Sequence, residues 1–144
     1  MPEFQMSIGN DTGKKKVWNS LDDFTKGYIT CMFWTDDTDG DLYADRAAEF
    51  CDLSAEAFHQ IIQDAIGFQL DSDNRVLLEL AYDRDGYSRE QAGCDFWLTR
   101  NGHGCGFWDR DELDRKLGVD LTKAAKKYKT TRLYSGDDDR LYLE

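Results

Sequence analysis

The residues best suited to chemistry fall in one stretch, where Asp95, His103, Cys105 and Asp109 place carboxylates, an imidazole and a thiol close together along the chain. A nucleophilic centre needs a thiol, a base and a group that orients the base. His103 and Cys105 occupy neighbouring turn positions with no evident oxyanion donor, so no catalytic residue is assigned. The two histidines, His59 and His103, and the four cysteines, Cys31, Cys51, Cys94 and Cys105, lack CxxC or other tetrahedral ligand spacing. No zinc or other metal site is expected, no cofactor is assigned, and the cysteines are read as free thiols in a reducing compartment. The acidic run 35–41 resembles a calcium loop, with Asp37 and Asp39 at loop positions 3 and 5 if Gly40 takes position 6. Thr35 then stands at position 1 and Arg46 replaces the bidentate glutamate at position 12, which excludes an EF-hand. Gly102, Gly104 and Gly106 do not lead a strand into a helix, so they are turn glycines and form no phosphate loop.

Charge carries more information. The chain has 144 residues and a formal net charge of -11. Between Asp36 and Asp85 there are fourteen carboxylates against three arginines, while the remaining 94 residues are balanced at fifteen of each sign. The whole imbalance therefore sits in one 50-residue stretch. Such a balance argues against direct nucleic-acid binding, which depends on lysine and arginine displacing counterions. Carboxylates spaced along exposed helices can instead imitate a phosphate lattice and steer a basic groove onto themselves. The plainer reading is a solvated acidic face that aids solubility.

The elements that must position these groups follow from periodicity. Residues 1–16, ending in Lys14, Lys15 and Lys16, read as a flexible N-terminal arm, and residues 17–144 as a single α+β domain. Leu21, Phe24, Tyr28, Cys31 and Met32 predict a helix from Ser20 to about Trp34, and a further helix is placed at Leu42 to Phe50. Ser54, followed by Phe58, Ile61, Ile62, Ala65 and Phe68 at helical spacing, starts the clearest helix. Val76, Leu77, Leu80 and Ala81 suggest another helix, and a last one is placed at Leu121 to Lys129. Residues 95–100 and 105–110 flank Asn101-Gly102-His103-Gly104 and predict a β-hairpin. Its register opposes Leu98 to Phe107, Trp97 to Trp108 and Asp95 to Arg110. The tryptophan pair is core if helices cover both faces of the sheet and a partner hot spot if they cover one. Thr131 to Ser135 and Arg140 to Leu143 predict a second hairpin. The expected fold is thus N-terminal helices packed on an antiparallel sheet of about four strands.

The block Ala92-Gly93-Cys94-Asp95-Phe96-Trp97-Leu98-Thr99-Arg100-Asn101-Gly102-His103-Gly104-Cys105-Gly106-Phe107-Trp108-Asp109-Arg110 resembles one found in a family of small, mostly uncharacterised bacteriophage and mobile-element proteins. The stretches 21–35 and 121–142 resemble the same family. This chain departs from the block at Cys94, where the family has His, and at Cys105, where it has Ala. The resemblance implies a phage or mobile-element origin and carries no established activity, so no catalytic residue is transferred.

These readings converge on an expected function. The protein is expected to be a phage accessory protein of the anti-defence type, acting in the cytoplasm of a bacterial host, with no signal peptide or membrane span. Its partner would be the basic groove of a host nuclease or other DNA- or RNA-binding protein, contacted by Asp36, Asp37, Asp39, Asp41, Asp45, Glu49, Asp52, Glu56 and Asp64. One alternative is an interaction module that binds through Trp97, Arg100, Asn101, His103, Trp108 and Arg110. Another is a small enzyme acting on a nucleotide or signalling molecule, with His103 and nearby carboxylates as acid and base.

Overall fold

The computed structural model describes residues 5–37 and 42–144. The described residues form a mostly helical fold: α1 Thr12–Ser20, α2 Asp23–Asp37, α3 Ala55–Leu70, α4 Ser72–Tyr82, α5 Arg89–Arg100 and α6 Arg115–Ala125, with strands β1 Leu133–Ser135 and β2 Leu141–Leu143. The expected four-stranded sheet is overturned. The sheet has two antiparallel strands, registered Leu133 to Leu143, Tyr134 to Tyr142 and Ser135 to Leu141. α+β holds only as a coarse description.

The decisive correction concerns residues 95–110, which are not a hairpin. Residues 95–100 are the end of α5, residues 101–106 are a loop, and Phe107–Asp109 is a single 3-10 turn. Ser88 caps the helix start by accepting from the Gln91 amide at 3.0 Å. Every residue from Ala92 to Arg100 is buried. A helix enclosed on all sides has no polar stripe, so its 3.6-residue period is not visible in the sequence. The glycine signal is real but ends a helix. The Gly102 amide donates to the Thr99 carbonyl and the His103 amide to the Leu98 carbonyl, with Gly102 at φ 67°, which is a Schellman stop.

α5 packs closely on α2. A Cβ on Gly93 would lie 1.9 Å from the Phe24 carbonyl oxygen, and one on Gly27 would lie 2.1 Å from that of Glu90. Only glycine at both positions lets the backbones meet. The contacts Gly27 with Glu90, Cys31 with Cys94, and Thr35 with Trp97 advance together along both chains, so the two helices run parallel. Parallel neighbours need a long connection, which α3 and α4 supply. Around this pair Phe24, Phe68, Phe96 and Phe107 stack, with Phe68 and Phe96 centroids 4.2 Å apart.

Other boundaries differ from expectation. α2 begins at Asp23, with Asp22 accepting from the Thr25 amide at 2.7 Å, and continues to Asp37 rather than ending at Trp34. Residues 42–49 are not helical and lead into a 3-10 turn, Phe50–Asp52, because Glu49 and Asp52 satisfy each other's backbone in a capping box. Residues 12–16, expected within the arm, belong to α1, which Asp11 caps through the Lys14 amide. Lys14 Nζ then reaches the carbonyls of Cys51 and Leu53 at 3.2 Å each. α3 matches its sequence signal, with Ser54 as N-cap. α4 starts earlier than expected, at a cap provided by Asp71, and α6 runs 115–125 instead of 121–129 because Asp114 caps it. The C-terminal hairpin forms as expected in shortened form. Among the described residues no helix is long and apolar enough to cross a membrane.

Candidate functional site

Loss of the 95–110 hairpin scatters the residues grouped on it. Trp97 is fully buried, its indole nitrogen donating to Thr35 Oγ1 at 2.8 Å, whereas Trp108 is 43% exposed, so the two do not form a pair. Arg100 is also interior. Its guanidinium donates to Asp64 Oδ2 at 2.7 Å, to the Tyr28 hydroxyl at 3.0 Å and to the Lys129 carbonyl at 2.9 Å. Burial pushes the Tyr28 hydroxyl above its ordinary range, so it remains a neutral acceptor for that guanidinium. Arg110 grips Asp95, as the hairpin register supposed, but from the loop preceding α6 onto a helix. Its Nη2 and Nε donate to Asp95 Oδ1 at 2.6 and 2.9 Å. Tyr87 and Gln91 complete the shell at 2.8 and 3.0 Å. Burial raises the Asp95 carboxyl above its ordinary value, against the opposing pull of Arg110. This aspartate is committed to the core and is not available to His103.

His103 and Asn101 instead rim a cleft of about 470 Å³ with Asp36, Thr130, Thr131, Arg132 and Glu144. Most polar groups around it already hold the fold. Asp36 accepts from the Leu133 amide at 2.9 Å, Asn101 accepts from the Thr131 amide at 2.8 Å, and Arg132 donates to Glu144 at 2.6 Å. Burial raises the Asp36 carboxyl, while the Leu133 amide, Thr35, His103 and Arg132 pull it down. The cleft joins α2, the α5 stop and β1, and its chemistry is mainly that of a seam between elements. Among the described residues no group of three or more His, Cys, Asp or Glu side chains is arranged to hold a metal ion.

The acidic residues named from the sequence divide in the same way. Asp36 and Asp37 accept backbone amides of Leu133 and Ala48, Asp52 is held by Arg46 at 2.8 Å, and Asp64 is held by Arg100. Glu49 accepts from Ser7 at 3.0 Å. Asp45 and Glu56 are exposed, and Asp39 and Asp41 lie outside the described residues. Much of the named set is therefore structural.

A different acidic surface arises where the turn after α4 meets the start of α6. Asp83 and Asp85 on one side and Asp109, Asp111, Glu112 and Asp114 on the other are all exposed. Arg84 Nη2 lies 3.6 Å from Asp114 Oδ2, and a Cβ at Gly86 would sit 3.8 Å from Glu112 Cγ, so the two segments are in contact. Six carboxylates there face two exposed arginines, Arg84 and Arg115. The surface continues along the outer face of α4, where Asp73, Val76, Glu79, Leu80 and Asp83 recur at helical spacing. Val76 is 61% and Leu80 46% exposed. Sequence reading missed the grouping because Asp109 to Asp114 lie outside the acidic stretch. A run of four acids in six positions was the available signal.

No protein-family model, curated protein or solved structure matches the chain.

Proposed function

We propose that the protein is a bacteriophage-type accessory protein that inhibits a host nucleic-acid-binding enzyme by offering carboxylates to its basic groove. The observation that carries this reading is the exposed acidic surface formed by the α4–α5 turn, the start of α6 and the outer face of α4. Its carboxylates are free of the structural duties that occupy Asp36, Asp37, Asp52 and Asp64, with Asp114 the exception as the cap of α6. Val76 and Leu80 add an apolar centre of the kind a protein partner covers, ringed by charge. The phage resemblance of the 95–110 block supports the origin.

The test is competition. Cleavage of a fluorescent duplex by host nucleases is measured with the wild-type protein and with a variant carrying Asp83→Asn, Asp85→Asn, Asp111→Asn and Glu112→Gln, at about 50 and about 300 mM salt. The wild type should inhibit at low salt, lose most of its inhibition at high salt, and outperform the variant at least tenfold. Equal inhibition by the two proteins, or inhibition insensitive to salt, would refute the mechanism.

A further inference from the structure

Four cysteines are spread over 75 positions of the chain, from Cys31 to Cys105, and the fold brings two of them into contact. The Cys94 thiol points at Cys31, with the sulfurs 2.7 Å apart, although the residues are 63 positions apart in sequence. Both side chains are almost fully buried. Their approach follows from the packing of α2 on α5: Gly27 lies one turn before Cys31, Gly93 adjoins Cys94, and both glycines allow backbone contact. A disulfide needs closely spaced backbones, with Cα atoms usually 4.4–6.8 Å apart, and a covalent sulfur distance of about 2.05 Å. Here bond formation takes a sub-ångström approach of sulfurs already facing each other.

We propose that Cys31 and Cys94 are an oxidation site, the pair that forms an intramolecular disulfide stapling α2 to α5. With glutathione disulfide as oxidant, one cysteine thiolate attacks it and releases one glutathione. The second thiolate then attacks the mixed disulfide and releases another. Two thiol protons pass to solvent or to the departing glutathione thiolates, and the two electrons reduce the glutathione disulfide.

The site explains its own kinetics. Keeping the shared proton between Cys31 and Cys94, together with burial, pushes the Cys31 thiol well above its ordinary range, so little thiolate exists at neutral pH. Reaction requires local separation of α2 and α5, and is slow for that reason. Once made, the bond closes a long loop and should raise Tm by about 10 °C. Half-buried Cys105 packs against the same core, which makes a link through it the competing product.

The reduced full-length protein is incubated with glutathione disulfide at mildly alkaline pH, then digested without reduction for mass spectrometry, and its Tm is compared with and without dithiothreitol. The expected product joins the peptides carrying residues 31 and 94, with a Tm rise that dithiothreitol reverses. A Cys51→Ser/Cys105→Ser variant should retain both signals. The peptide map uses the wild-type chain, so the result does not depend on whether Cys31→Ser folds. Recovery of Cys31 and Cys94 as free thiols, a dominant link through Cys51 or Cys105, or a 31–94 link with no rise in Tm would overturn the assignment. Nothing in it depends on the acidic surface.

Discussion

Replacing Arg110 with alanine probes how the interior tolerates charge. Asp95 is fully buried, and Arg110, whose side chain is 23% exposed, is the cation that holds it. Removing that cation leaves a carboxylate with two neutral donors, Tyr87 and Gln91. Breaking a buried pair in this way costs about 3–5 kcal/mol. The sign of the pH dependence follows from the raised Asp95 carboxyl. A group whose folded pKa exceeds its unfolded value favours the folded state most at low pH, and that contribution is lost as pH rises through the folded pKa. Without Arg110 the carboxyl rises further, and each added unit steepens the loss by about 1.4 kcal/mol. The variant's deficit should therefore be smallest near pH 4 and grow toward pH 7. Urea unfolding at several pH values, read by tryptophan fluorescence, measures it. A deficit under about 1 kcal/mol, or one that does not change with pH, would refute a charged, dependent Asp95.

Asp36→Asn should keep its bond from the Leu133 amide while removing a buried charge, so its stability relative to wild type should rise as pH increases above about 4. Thermal unfolding across pH checks this, and a falling difference would contradict the direction assigned. Gly93→Ala should cost more than about 3 kcal/mol, because its Cβ would strike the Phe24 carbonyl, whereas Gly67→Ala, with the Tyr128 hydroxyl at 3.6 Å from the added Cβ, should stabilise by about 0.5–1 kcal/mol. Parallel denaturation curves distinguish them, and equal effects would mean the α2–α5 contact is loose. Trp97→Ala should lose about 3–5 kcal/mol, while Trp108→Ala, at a half-exposed position, should lose about 1 kcal/mol or less. Similar losses by chemical denaturation would argue for the paired arrangement the fold lacks.

The sequence by itself determined α3, whose Ser54 cap and apolar spacing are local, and the C-terminal hairpin, whose strands flank a Gly-Asp turn. It also determined that the chain is acidic and that its carboxylates are unevenly placed. Those features depend on near neighbours and survive in one dimension. Tertiary structure decided α5. A strand and a helix buried on every side read alike, and only packing against α2, α3 and the Phe107 turn resolved Asp95 to Arg100 as helical. The same packing decided which charges are free. Asp64 and Asp83 are indistinguishable by type, yet one is paired with buried Arg100 and the other faces solvent, because only one lies opposite a guanidinium brought there from 36 residues away. Contacts between Asp83–Gly86 and Asp109–Asp114, and between Cys31 and Cys94, depend on chain crossings that composition and periodicity do not encode.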